Sequence, residues 1–116
     1  MNIQQTLTRI FPSGVVGGCS PDGGGVFEVH GLSKGTVPAN CEVLAGGHVP
    51  RMRRHEHRES YLVKTENFIL FFDVCAALPG SGYDEFVESR GYTDAADTES
   101  HDLLAYARKS IESQRH

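Results

Sequence analysis

The stretch "ESYLVKTENFILFFDVCAA" at residues 59–77 constrains the fold of this chain more than any other. Residues 61–65 run from the apolar Tyr61, Leu62 and Val63 to the polar Lys64 and Thr65, whereas residues 68–75 are almost continuously apolar. We interpret the mixed run as a strand with one buried face and the continuous apolar run as a strand that is covered on both faces. Glu66 and Asn67 separate the two runs and suit a tight turn. The sequence therefore predicts a β-hairpin whose second strand is central in a sheet.

The residues before this hairpin predict one helix and further short strands. Ile3, Leu7 and Ile10 recur at helical spacing, with Asn2 available as the N-cap and Pro12 as a stop. The segments "VFEVH" and "CEVLA" are rich in β-branched and apolar residues, which favours two short strands. The intervening "SGVVGGCSPDGGG" carries turn residues, and we predict a long connection there.

Two helices are predicted after the hairpin. Ser81 and Asp84 have the spacing of a capping box, Phe86 and Val87 supply an apolar face, and Gly91 suits the position after a helix. The last helix is predicted from about residue 99 to residue 113. Its buried stripe comprises Leu103, Leu104, Ala107 and Ile111. We therefore predict a single α+β domain over residues 1–116: a small antiparallel sheet of about four to five strands, with an N-terminal helix and two C-terminal helices packed on it.

Charge is unevenly distributed along the chain. The formal net charge is −4, which argues against bulk electrostatic binding to nucleic acid. Four of the eleven basic residues nevertheless lie within eight positions, and seven of the fifteen acidic residues lie between Asp84 and Asp102. This separation predicts two surfaces of opposite sign, which suits a protein partner or a homodimer.

The cysteines and the apolar segments predict a cytoplasmic protein without a membrane span. Cys19, Cys41 and Cys75 form an odd set without paired spacing, which favours free thiols in a reducing compartment. The longest apolar run is interrupted by Asp73 and is too short to cross a bilayer. Cys19 lies in a glycine-rich loop, but nucleophilic catalysis would also need a base beside it.

The segment "RRHEHRE" offers one arrangement for a metal. In an extended conformation His55, His57 and Glu59 project on one side, where two imidazoles and a carboxylate could bind a divalent cation. The pattern resembles the first motif of the cupin family over about ten residues. It departs from that motif because Glu59 follows His57 too closely and because no second motif is present. We therefore predict no metal and no cofactor, and keep a metal-dependent enzyme with this His-x-His-x-Glu site as the alternative.

The same segment carries an arginine cluster. Its local charge of about +3 is modest for a nucleic-acid surface and sufficient for docking on an acidic protein patch, and arginine contributes strongly to protein interfaces. Nucleic-acid binding therefore ranks behind protein binding. The predicted partner-binding residues are Arg51, Arg53, Arg54, Arg58 and Tyr61.

The sequence contains no combination of nucleophile, base and orienting group, so we predict a non-enzymatic binding protein. The expected role is that of a regulator or inhibitor of a larger assembly, with a nucleic-acid-processing complex among the candidate partners. Small inhibitors made by phages and mobile elements, anti-CRISPR proteins among them, share this size and mixed charge. The comparison rests on analogy, without a matching motif.

Overall fold

The computed structural model describes residues 1–18, 27–47, 59–97 and 100–113. Within these ranges the chain forms six strands and two helices. They are α1 (Ile3–Ile10), β1 (Val15–Gly17), β2 (Glu28–Leu32), β3 (Glu42–Gly46), β4 (Glu59–Lys64), β5 (Phe68–Ala76), β6 (Glu85–Asp94) and α2 (Ser100–Ser113). The strands form one antiparallel sheet in the order β1-β2-β6-β5-β4-β3. The fold class is α+β, with one helix on each face of the sheet.

The central hairpin confirms the prediction from the sequence. β4 and β5 pair antiparallel, with Lys64 opposite Ile69 and Tyr61 opposite Phe72. Side chains of β5 alternate between two buried clusters, one on each face of the sheet. Phe72 belongs to the cluster beneath α1, and Phe71 belongs to the cluster beneath α2. The continuous apolar run thus reflects a strand buried on both sides.

Side-chain amides cap both ends of helix α1. At its start, Asn2 Oδ1 accepts a hydrogen bond of 2.8 Å from Gln5 N, and Gln5 Oε1 accepts one of 2.9 Å from Asn2 N. This capping box confirms Asn2 as the N-cap. At its end, Asn40 Nδ2 donates to the Arg9 carbonyl at 3.0 Å. These contacts satisfy backbone groups that have no partner within a helix.

The α1 face of the sheet holds an aromatic core. Phe72 lies at its centre, in edge-on contact with Phe11 at 5.5 Å between ring centroids and stacked on Tyr61 at 5.6 Å. Phe27 contacts Phe72 edge-on at 6.3 Å. Helix α1 covers these rings with Leu7 and with the residues at its end. Aromatic pairs in such geometries add to the stabilisation from burial itself.

The prediction of four to five strands and two C-terminal helices is wrong. Among the described residues there are six strands and a single C-terminal helix, because the predicted helix between Ser81 and Gly91 is mostly strand β6. The ten-residue β6 pairs with β5 on one side and with β2 on the other. With β4 alone as its neighbour, the buried β5 would leave backbone N–H and C=O groups unpaired, so sheet pairing overrides the local helix signals.

The same correction applies to the residues that suggested a helix cap. Ser81 lies in the turn before β6, where its hydroxyl donates to the Tyr83 carbonyl at 3.3 Å. Gly91 lies within β6 at φ 148°. Near the N-terminus, the segment predicted to be a connection contains the short edge strand β1.

The prediction of the last helix is confirmed. Helix α2 covers Ser100–Ser113, and its stripe of Leu103, Leu104, Ala107 and Ile111 packs on the sheet. Within the described ranges, neither helix has the length and apolar character needed to cross a membrane.

Candidate functional site

The structure describes only two of the residues in the predicted sites. Tyr61 is 2% exposed and its ring stacks on Phe72, so it packs in the core beneath α1 and presents no surface to a partner. Glu59 is half-buried at the start of β4, opposite Val74. The other predicted contacts and ligands lie outside the described residues, so the predictions that rest on them stay predictions: Arg51, Arg53, Arg54, His55, His57 and Arg58.

A polar cluster links the centre of the sheet to α2. Asp73 on β5 is 1% exposed, and its Oδ1 accepts a hydrogen bond of 2.6 Å from the Ser60 hydroxyl on β4. Its Oδ2 lies 3.3 Å from Nη1 of Arg90 on β6. Arg90 Nη2 in turn donates to the hydroxyl of Tyr106 on α2 at 3.0 Å. We call these four residues the Arg90 cluster.

The guanidinium of Arg90 also contacts two aromatic rings. Its Cζ lies 4.9 Å from the centroid of the Phe71 ring and 5.9 Å from that of Tyr106. The two rings meet edge-on, 5.7 Å apart. Arginine suits this position because its planar guanidinium can form an ion pair and lie on an aromatic face at the same time. Asp73, Phe71 and Tyr106 therefore fix Arg90 in a single orientation.

A β-bulge aims Arg90 at its partners. Phe71 pairs with Gly91 and Phe72 pairs with Ser89, so Arg90 is an extra residue on β6. Such a bulge turns a side chain away from its regular position in the strand. Gly91 has a positive φ, and a Cβ at that position would lie 3.3 Å from Leu103 Cδ1 of α2. The absence of a side chain at Gly91 thus lets α2 approach the sheet closely.

The chemistry of the Arg90 cluster is that of a structural clamp. The Arg90 hydrogen bond lowers the pKa of Tyr106, and the same bond raises the pKa of Arg90. The Ser60 hydroxyl is buried and donates directly to a carboxylate that is already paired with a guanidinium. Ser60 is sealed within the sheet and its hydroxyl points at Asp73, so this geometry does not present Ser60 to a substrate as a nucleophile. The cluster neutralises a buried charge and ties α2 to three strands.

A second polar group lies on β2 and β6. His30 Nε2 lies 3.1 Å from Glu28 Oε2, and its ring is nearly parallel to Phe86 at 5.8 Å. Glu28 pairs with Glu88, which pairs with Asp73, so carboxylates from three neighbouring strands follow one row across the sheet. Even so, the described residues include no group of three or more His, Cys, Asp or Glu side chains placed to hold a metal ion.

The loop between β5 and β6 displays apolar side chains on a fixed turn. Ser81 N donates to the Leu78 carbonyl at 3.1 Å, and Gly80 has φ 85°. With Pro79 before that glycine, these are the features of a type II turn. Leu78 is 80% exposed and Tyr83 is half-exposed. We call residues 78–83 the β5–β6 tip.

The base of the β5–β6 tip is tied to the neighbouring loop. The backbone closes through a hydrogen bond of 2.8 Å from Ala77 N to the Asp84 carbonyl. Asp84 Oδ2 accepts from Lys34 N at 3.1 Å, and Glu85 Oε1 accepts from Gly35 N at 2.9 Å. These bonds hold the tip in a defined position at the end of the sheet.

Comparison with known proteins gives no relative for this chain: a scan against protein-family models, a search of curated proteins and a search of solved structures found no match. Functional interpretation therefore depends on the geometry alone.

Sequence analysis missed both the Arg90 cluster and the β5–β6 tip. One signal for the cluster was present, because Asp73 interrupts an otherwise apolar central strand. A carboxylate at such a position requires a buried partner. Nothing in the sequence identified Arg90 as that partner, since the helix predicted over residues 81–91 removed it from the sheet. The same incorrect helix hid the tip.

Proposed function

We propose that this chain is a non-enzymatic binding protein that acts by contact with another protein, and that the β5–β6 tip supplies a contact surface. The observation that carries this proposal is the exposure of Leu78 on an ordered turn. A leucine held out in solvent gains about 1.5–3 kcal/mol when a partner buries it fully. Binding loops on a rigid scaffold commonly carry function in this way.

The order of the tip also favours binding. Its turn hydrogen bond and its anchors to Lys34 and Gly35 are formed before any partner arrives. Because the loop is already ordered, association costs less conformational entropy. Tyr83 lies five residues after Leu78 and adds an aromatic ring, a group enriched among residues that dominate binding energy. Leu78 offers an apolar contact, and Tyr83 offers a ring with a polar hydroxyl at its edge.

The burial of Tyr61 removes it as a surface contact for a protein and for a nucleic acid alike, so the preference for a protein partner rests on the net charge of −4. Tyr61 is the aromatic residue that flanks the arginine stretch, and recognition of single strands commonly uses such rings to stack bases. Tyr61 is packed against Phe72 in the core and offers no face to a base. The arginine stretch itself remains a predicted second contact, and the role as a regulator or inhibitor remains a proposal.

Site-specific photo-crosslinking in the source cell tests the tip as a contact. A benzophenone-bearing residue is placed at position 83 in the full chain, and covalent adducts are identified by mass spectrometry. Position 43 is the matched control, because Val43 is a half-exposed apolar residue towards the other end of the strands, opposite Val63 and away from the tip. We expect a protein adduct at position 83 that Leu78→Asp abolishes and Val43→Asp leaves unchanged. Identical adducts at both positions, or adducts at position 83 that survive Leu78→Asp, would contradict the proposal.

A further inference from the structure

Helix α2 sits across the strands in two sockets made by glycines. Leu103 Cδ1 lies above Gly91 on β6, and Ile111 Cδ1 lies above Gly46 on β3, each 3.3 Å from where a Cβ would be. At Gly46 a Cβ would also collide with the Ser60 backbone, so the neighbouring strand as well as α2 requires glycine there. The eight residue steps from Leu103 to Ile111 span about 12 Å of helix. Crossing from β6 to β3 takes three strand spacings, or about 14 Å. The helix therefore bridges four strands nearly at right angles.

The surface that receives α2 is formed by the strands, with Ala95 just after β6 at its margin. We call it the α2 seat; its members are Gly46, Leu62, Ile69, Phe71 and Gly91. Arg90 is held over Phe71 by Asp73, and Asp73 is held by Ser60, all on the sheet. The sheet thus supplies the members of the seat and two of the three contacts that orient Arg90, whereas the third contact, Tyr106, comes from α2.

The contact of α2 with this seat is shallow. Ala107 and Ile111 are buried, whereas Leu103 and Leu104 are only half-buried and Tyr106 is 51% exposed. Helix α2 contributes no strand to the sheet, so its departure breaks no strand pairing. What it gives up is the cover over Leu62, Ile69 and Phe71, the edge-on contact of Tyr106 with Phe71, and the hydrogen bond from Arg90 to Tyr106.

From these observations we infer that α2 is a releasable helix. It leaves the α2 seat as a unit while the sheet and α1 stay folded, and it returns to the same two sockets. The chain then has a closed state and an open state, and the open state exposes the apolar surface of Leu62, Ile69 and Phe71. This device is independent of the β5–β6 tip, because the tip is anchored to the loop at Lys34 and Gly35.

Amide hydrogen exchange on the full chain tests this inference, because protection factors report the free energy of the opening that exposes each amide. We expect α2 amides to be less protected than the slowest β5 amides by roughly two orders of magnitude. Low concentrations of denaturant should leave α2 protection almost unchanged and reduce β5 protection steeply, since release exposes far less surface than global unfolding. Equal protection with equal denaturant dependence in α2 and β5 would overturn the inference.

Two variants separate release from global unfolding. Val29→Ala removes buried methyl groups beneath α1, which destabilises the closed and the open states equally relative to the unfolded chain. We expect β5 protection to fall by a factor of roughly 5–30 and α2 protection to stay unchanged. Ile111→Ala destabilises only the closed state, so α2 and β5 protection should fall by the same factor. A fall in α2 protection with Val29→Ala, equal to that in β5, would show that α2 opens only when the whole chain unfolds.

Discussion

The two faces of the sheet are covered by helices in different ways. Among the residues that the structure describes, the cluster beneath α1 contains twelve buried residues, most of them fully sealed, whereas the cluster beneath α2 contains five. The α1 face is mostly apolar and built around stacked and edge-on rings. The α2 face combines a smaller apolar contact with a buried ion pair. One face therefore supplies most of the stability, and the other carries polar groups and the helix that can open.

Truncation of the two neighbouring phenylalanines of β5 should give the largest effects and should be unequal. Phe72→Ala removes the ring at the centre of the α1-side core, and we expect it to lower the free energy of unfolding by about 3–5 kcal/mol. Phe71→Ala should cost less, about 3 kcal/mol, because the shallow contact with α2 can adjust to the lost ring. Urea unfolding of both variants measures the difference. A larger loss for Phe71→Ala would reverse the comparison.

Removal of the guanidinium should have the next largest effect. Arg90→Ala leaves the buried Asp73 without its cation, and we expect a loss of about 1–3 kcal/mol in unfolding free energy. The value lies below that of a fully buried pair because part of the Arg90 side chain is exposed to solvent. The double variant Arg90→Ala/Asp73→Asn removes the charge as well and should recover part of the loss. A double variant that is no more stable than Arg90→Ala would contradict an electrostatic origin.

The pH dependence of α2 docking gives a smaller effect with a defined sign. The Arg90 hydrogen bond lowers the pKa of Tyr106 from its ordinary value near 10. A depressed pKa in the folded chain means that the ionised phenol favours the folded state, so this contribution is present at high pH and is lost as the pH falls through the folded pKa. Absorbance at 295 nm follows the ionisation of the tyrosines. The titration step that disappears in Tyr106→Phe is the step that belongs to Tyr106. Arg90→Gln should move that step to higher pH. A step that does not move would show that Arg90 does not set it.

The smallest effect on stability is expected at the β5–β6 tip. Leu78→Asp replaces a side chain that is 80% exposed, so the free energy of unfolding should change by no more than about 0.5 kcal/mol. Thermal melts measure the melting temperature of this variant and of Val43→Asp, which changes another exposed apolar residue. A loss of several kcal/mol for Leu78→Asp would mean that Leu78 packs within the fold and does not serve a partner.

The sequence predicted the parts of the fold that local pattern determines. The hairpin of β4 and β5, the capped helix α1 and the stripe of α2 all follow from the spacing of apolar residues and from turn and cap chemistry. Strand β6 was mistaken for a helix because Tyr83, Phe86 and Val87 suit either period, and long-range pairing with β2 and β5 decided between them. The Arg90 cluster could not be predicted, since its members come from four separate elements.

The most direct test of the difference between the two faces is a matched pair of isoleucine truncations. Ile10 at the end of α1 is 1% exposed and Ile111 of α2 is 7% exposed, so both are buried helical residues facing opposite sides of the sheet. Urea unfolding of Ile10→Ala and Ile111→Ala measures what each face contributes. We expect Ile10→Ala to cost about 3–4 kcal/mol and Ile111→Ala about 2 kcal/mol, because the shallow contact beneath α2 can close around the smaller side chain. Equal losses, or a larger loss for Ile111→Ala, would contradict the account.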